Sequence, residues 1–316
     1  MSELRIIFFG TAELACPALS SLTQLSDCRV VGVVTQPDRP KGRNLLRQPS
    51  PVKRLATRQQ LPLLQPERAR SELFFDQLAP LRPDLIAVVA YGQILPKRVL
   101  ELPRFGCLNV HASLLPKYRG AAPIQWALLN DEQETGVTIM RMDEGLDTGE
   151  ILTQQAEPIA PEDNAQTLHD RLATMGAELL VETIPNYVTG RIVTRKQPDA
   201  GVSYARKITR EDGHLDWNRP ARELWNRVRA LVPWPGACTR LPEPSRPQLL
   251  KIWQAEVADR SSATPGEILA ASKEGIVVAC GQQALRILAL QREGGRRLSV
   301  REFLAGHPLS PGQRLG

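Results

Sequence analysis

Along the first half of the chain the apolar positions fall in short runs instead of alternating. Residues 4–9, 30–34, 85–90 and 107–110 are such runs, and a strand covered on both faces needs no polar side. With a helix predicted over about 17–25 between the first two, the pattern is βαβ and the sheet parallel. Residues 137–142 and 151–158 read as further strands. Residues 164–187 carry a long helical pattern with Asn164 as N-cap, and the first domain is drawn at 1–190. Residues 191–206 are polar and positive with no clear hydrophobic face, which predicts an extended linker. From 207 to 316 the pattern changes to one helix, about 221–231, and short strands near 236–241, 249–257, 275–279 and 284–290. That spacing predicts a small β-barrel.

Composition agrees with two globular domains. The 316 residues are 42% hydrophobic and 23% charged, and Pro with Gly stays below the low-complexity range. Cys16, Cys28, Cys107, Cys238 and Cys280 are scattered singly, and the four histidines show no ligand spacing. Neither a disulfide framework nor a metal centre is expected. Residues 1–10 hold too short an apolar run for a signal-peptide core, and no run of about 18 apolar residues occurs. The expected compartment is the cytoplasm, without a membrane anchor.

Charge is uneven. Residues 1–190 hold 19 Lys and Arg against 22 Asp and Glu, whereas residues 191–316 hold 21 against 12. Within the acidic first part, Arg39, Lys41, Arg43, Arg47, Lys53, Arg54 and Arg58 lie in a stretch without one acidic residue. Clustered cations attract polyanions, nucleic acid among them. A dinucleotide does not suit the domain: Gly10-Thr11-Ala12-Glu13-Leu14-Ala15 lacks the Gly-x-Gly-x-x-Gly pattern, and there is no phosphate-loop motif.

Candidate chemistry begins at Cys107-Leu108-Asn109-Val110-His111. Strand alternation puts Asn109 and His111 on one face near the strand's carboxyl end, where open α/β sheets bind ligands. An amide offers a neutral N–H to a developing oxyanion, and an imidazole moves a proton near neutral pH. The loop that follows, with Pro116, Gly120 and Pro123, is built to hold one shape. Further on, Met142-Asp143-Glu144-Gly145-Leu146-Asp147-Thr148-Gly149 joins two strands. A carboxylate from it beside His111 would fix the ring's tautomer and offset its charge; spacing leaves open which of the three acids does so.

Asn109-x-His111-x-Ser113-Leu114-Leu115-Pro116 with Arg119-Gly120-x-x-Pro123, Glu134-Thr135-Gly136-Val137-Thr138 and Leu146-Asp147-x-Gly149 resembles the signature of the folate-dependent formyltransferases. Thr35-Gln36-Pro37-Asp38-Arg39-Pro40-x-Gly42-Arg43, Pro49-Ser50-Pro51-Val52-Lys53, residues 88–96, Arg229-Ala230 and Pro233-Trp234-Pro235-Gly236-Ala237 are similar to the branch whose acceptor is methionyl-tRNA. The resemblance covers nearly the whole chain. It implies an N-terminal Rossmann-like, mostly parallel sheet domain and, at 207–316, an OB-like β-barrel that binds tRNA. It also implies a monomer, without metal, that transfers formyl from 10-formyltetrahydrofolate, a co-substrate, to the α-amine of charged initiator methionyl-tRNA.

Carried over by position, the resemblance implies a catalytic trio of Asn109, His111 and Asp147. Asn109 and His111 would donate to the oxyanion, and Asp147 would orient His111 and help relay the proton. Folate contacts are implied at Ser113, Leu114, Leu115 and Pro116, at Val89, Ala90, Tyr91, Gly92, Ile94 and Leu95, and at Asp143 and Leu146. Contacts to tRNA are implied at Arg39, Lys41, Arg43, Lys53 and Lys207. The same trio would serve formyl transfer to a sugar nucleotide or glycinamide ribonucleotide, or hydrolysis of the formyl-folate, but a small substrate needs neither the basic stretch nor a positive second domain. An RNA-binding module on an inactive scaffold would have no use for the trio. Three positions depart from the family's pattern: Ala12 for Pro, Leu14 for an aromatic, and Ala112 for Gly after the histidine. A positive φ at Ala112 would bring strain of about 1–2 kcal/mol.

Overall fold

The computed structural model describes residues 3–41, 46–241, 248–259 and 263–316. The chain divides into two compact units, one made of residues 1–123, 134–158 and 169–206, the other of 124–133, 159–168 and 207–316. Up to residue 205 the elements in chain order are β1 (Leu4–Gly10), α1 (Ala15–Leu22), β2 (Cys28–Val34), β3 (Arg39–Lys41), β4 (Leu46–Gln48), α2 (Pro51–Arg58), β5 (Leu63–Leu64), α3 (Glu72–Leu78), β6 (Leu85–Val89), α4 (Lys97–Leu100), β7 (Cys107–His111), β8 (Arg119–Gly120), α5 (Pro123–Leu129), β9 (Glu134–Arg141), β10 (Ile151–Pro158), α6 (Ala165–Val188) and β11 (Tyr204–Ala205).

The first unit is built on a seven-stranded sheet of order β10-β9-β7-β6-β1-β2-β5. Strands β5, β2, β1, β6 and β7 pair in parallel, and β9 and β10 complete one edge antiparallel. The unbroken apolar runs have their reason in β1, where Ile7 and Phe9 join Phe74, Leu78, Ile86 and Val88 in one core while Ile6 and Phe8 are equally buried. Asn164 caps α6, its Oδ1 accepting the N–H groups of Gln166 and Thr167 at 2.9 and 3.2 Å.

Two segments without predicted elements have regular structure. In the basic stretch, β3 pairs antiparallel with β4, and α2 follows with Val52, Leu55 and Ala56 buried and Ser50 Oγ accepting the Lys53 N–H at 3.0 Å. Its short apolar stripe is masked in sequence by the cations around it. Residues 191–206, read from sequence as an extended linker, belong to the first unit: Arg195 bridges Ile151, Gln197 is buried, and β11 pairs in parallel with β8.

In the second unit, α7 (Ala221–Ala230) is followed by β12 (Ala237–Leu241), β13 (Gln248–Ala258), β14 (Ile268–Ser272), β15 (Gly275–Ala279), β16 (Ala284–Arg292), β17 (Leu298–Ser299) and α8 (Val300–Gly306). The strands form an antiparallel sheet of order β12-β13-β16-β15-β14, with β17 on β16. Trp217, Leu224, Val228, Ile252, Ile276, Leu285, Ile287 and Phe303 make its core. The Ile268 N–H donates to the Gln313 carbonyl, that of Leu315 to Gly266 and that of Gly316 to Arg240. The tail thereby joins β14 to β12, the two edges of the sheet, as a barrel requires. Strand β14 and helix α8 are short and carry weak periodicity, which is why the sequence did not announce them.

Candidate active site

A cleft of about 530 Å³ opens at the carboxyl ends of β6 and β7. Asn109 and His111 lie in its floor together, as the period of a strand requires. His111 is buried, and its Nε2 donates to the Tyr118 carbonyl at 2.9 Å. A carbonyl only accepts, so the neutral ring carries its proton on Nε2 and leaves Nδ1 bare. That Nδ1 lies 3.8 Å from Asp147 Oδ2, beyond a hydrogen bond but close for a charge pair once the ring is protonated. The tautomer is therefore fixed by a carbonyl of the following loop, not by a carboxylate as expected. Tyr118 itself is held with φ 61 and its N–H on Ser203 Oγ at 2.9 Å.

The three acids divide plainly. Asp143 Oδ1 accepts from the Gly145 N–H at 3.0 Å and from Thr148 Oγ1 at 2.7 Å, closing its own turn. Glu144 faces Lys97 at 3.8 Å. Asp147 is the acid at His111, and its Oδ2 also accepts the Gly120 N–H at 2.8 Å. Asn109 is half-buried, and among the described residues nothing hydrogen-bonds its side-chain amide. Two glycines of the sequence signature are explained by close backbone approach. Gly120 has φ 116, and a Cβ there would lie 2.7 Å from the Ala205 carbonyl; at Gly149 it would collide with that of Arg141.

Residues 4–184 match the formyl transferase family, and residues 207–308 match the formyl transferase C-terminal domain. The chain belongs to the formyl transferase family. The methionyl-tRNA formyltransferase of Citrifermentans bemidjiense is 49% identical over 316 residues, which is 100% of this chain and 98% of that one. Two solved structures share the fold at lower identity. The N-formyltransferase from Helicobacter canadensis, in complex with folinic acid and dTDP-3-aminofucose, superposes with a TM-score of 0.66 at 19% identity, over 94% of this chain and 100% of that one. HypX from Aquifex aeolicus, in complex with tetrahydrofolic acid, gives 0.62 at 17% identity over 96% of this chain; the chain spans about half of HypX, 47%.

In this formyl transferase, Ala90, Tyr91, Gly92, Ile94, Leu95, Asp143 and Leu146 line the cleft. Ile94 and Leu146 are 84% and 58% exposed, large apolar side chains left open on its wall. Val89, also expected at the folate, is not among the lining residues: Val88 reaches the cleft, Val89 at the end of β6 is buried, and Ala90 beyond the strand turns with φ 44 to line it. Ser113, Leu114, Leu115 and Pro116 do not line it either. The Ser113 hydroxyl donates to the Lys117 carbonyl at 2.6 Å, its carbonyl accepts from Thr138 Oγ1 at 2.7 Å, and Leu115 packs with Met140 and Ile151. These residues shape the loop that brings Tyr118 and Gly120 back to His111 and Asp147. Gln93 and Glu144, inside the two segments expected to wall the ligand, line the cleft too, and so do Leu14, Met140 and Met142, which were not predicted because only the fold brings their positions to it. Ala112 is not among the residues with positive φ, so the strain feared there does not arise. Burial pushes the Tyr91 hydroxyl and the Cys107 thiol up to about 12, so neither is a nucleophile at neutral pH.

Of the residues expected at tRNA, Arg39 is exposed on β3, Lys41 ends that strand, and Lys207 is exposed at the start of the second unit's main segment. Arg43 lies outside the described residues. Lys53 is committed within the domain: its Nζ contacts Asp38 Oδ1 and Oδ2 at 2.9 and 2.8 Å, and the bond from Lys53, then that from Gln65, holds the Asp38 carboxyl below its usual range. Among the described residues no group of three or more His, Cys, Asp and Glu could hold a metal ion, and no helix is long and apolar enough to cross a membrane.

Proposed function

We propose that this formyl transferase moves the formyl group of 10-formyltetrahydrofolate to the α-amine of charged initiator methionyl-tRNA, as a monomer in the cytoplasm. The observation that carries this reading is the 49% identity with a methionyl-tRNA formyltransferase over the full length of the chain, both domains included. The donor is a substrate that supplies an activated formyl group on nitrogen. The cleft suits it: Val88, Ile94, Leu95, Met140 and Leu146 offer apolar walls to a flat ring, and the polar floor lies at Asn109 and His111.

The reaction is acyl transfer without a covalent enzyme intermediate. The uncommitted Asn109 amide donates to the formyl oxygen as the attacking amine builds negative charge on it. His111, its Nε2–H spent on Tyr118, takes the amine's proton on Nδ1 and returns it to the leaving nitrogen. While the ring holds that proton, its charge is 3.8 Å from Asp147. One C–N bond forms, another breaks, and nothing is oxidised. The ring thus serves as base and then acid, and donates to the oxygen only in its charged form. Arg39, Lys207 and the positive residues of the second domain grip tRNA phosphates.

A formylation assay tests the reading, with 10-formyltetrahydrofolate as donor and charged initiator methionyl-tRNA, free methionine or uncharged tRNA as acceptor. Formyl-methionyl-tRNA in the first reaction alone is the expected result. Formate release without acceptor, or formylation of a small amine, would replace the proposal by one of its relatives' activities.

A further inference from the structure

The strongest feature outside the trio is a fully used amide in the segment between the two family matches, which end at 184 and resume at 207. Gln197 is 4% exposed. Its Nε2 donates to the carbonyl of Asp147 and to that of Gly149, both at 2.8 Å. Its Oε1 accepts Nε and Nη2 of Arg119 at 3.1 and 2.7 Å. Both donors and the acceptor of one side chain are satisfied, which leaves the amide no freedom to flip.

The partners close a ring. Arg119 precedes Gly120, whose N–H holds the Asp147 carboxylate at 2.8 Å, and Gln197 ties the Arg119 side chain to the Asp147 main chain. Asp147 needs such a tie, because it has φ 52, a left-handed conformation that a non-glycine residue keeps only when its surroundings hold it. The Asp147 carboxylate makes no hydrogen bond to His111; at 3.8 Å its value to the ring rests on placement alone, and a small shift of the 147–149 turn would change it.

We propose that Gln197 is a positioning residue for the formyl transfer, acting through Asp147: it clamps the turn that carries the carboxylate to the strand that anchors it. The inference rests on the role given to Asp147 in the proposed function. A segment that reads as a polar connection between two domains is thereby part of the active-site scaffold. Gln197→Ala removes all four hydrogen bonds. Gln197→Glu keeps the size and the acceptor toward Arg119 but sets a second oxygen against the two carbonyls.

The test is turnover with saturating formyl donor and charged initiator methionyl-tRNA, in wild type, both Gln197 variants, Asp147→Asn and the double variants. Each Gln197 variant is expected to lower kcat about tenfold or more, with KM for either substrate within twofold, and to have no further effect once Asp147 is Asn. Turnover within twofold of wild type, or an equal loss in the Asp147→Asn background, overturns the proposal. If Gln197→Ala does not fold, the Glu variant decides alone. A wild-type enzyme that fails to formylate the charged tRNA would sink the proposed function; an active wild type with indifferent Gln197 variants would sink only this inference.

Discussion

Asn109 shows how a single residue's worth follows from what it does not touch. Its amide has no partner among the described residues, so a polar group on the sheet face stays free for a substrate oxygen. Asn109→Ala is expected to lower turnover about 100- to 1000-fold with both substrates saturating, the usual loss for one oxyanion donor; steady-state kinetics with near-normal kcat would remove Asn109 from the chemistry. The pair Asn109 and His111 was legible in sequence, since period two on one strand needs no tertiary knowledge. The tautomer of His111 was not. It depends on the Tyr118 carbonyl, seven residues on, which returns to the ring only because the loop is tied at Ser113, Thr138 and Ser203.

At the scale of elements, helix α7 shows charge used for structure instead of for tRNA. Asp131 meets Arg222 at 2.8 Å and Arg229 at 3.4 Å, and both guanidiniums lie over the Trp225 ring, 4.4 and 4.2 Å from its centre. The bond from Arg222 is the largest cause holding the Asp131 carboxyl below its usual range. A carboxylate depressed on folding adds stability above its unfolded value, about 4, and loses it as pH falls through the folded one. Asp131→Asn keeps the left-handed backbone tolerable at φ 57 and removes the charge together with one of the two accepting oxygens. Its melting-temperature deficit against wild type is expected to be full at pH 6 and to shrink below about pH 4; calorimetry showing a constant gap would deny the linkage. None of this was legible, because Asp131 and α7 are some ninety residues apart in sequence. The central strands β1, β2, β6 and β7 and helix α6 were legible, since burial on both sheet faces and one capped amphipathic run write themselves locally.

At the scale of the whole molecule, the uneven charge becomes a binding property. Affinity for initiator tRNA is expected to fall steeply with salt, each neutralised phosphate contributing a slope of about −0.7 to −0.9 in log K against log salt, while KM for the formyl donor changes little. Titrations at low and moderate salt measure both, and a flat response for tRNA would take the basic surfaces out of its recognition. Lys53 would contribute least, being paired with Asp38, although the sequence grouped it with the other cations expected at tRNA. By itself the sequence determined the parallel core of the first sheet, four of the second domain's short strands, the paired Asn109 and His111, and the excess of positive charge, because each is a local pattern of residue types. Only the tertiary structure decided which side chains line the cleft, which cations are already spent, and that Gln197 of the connecting segment braces Asp147. Those facts depend on which distant backbones meet, and packing, not periodicity, sets that.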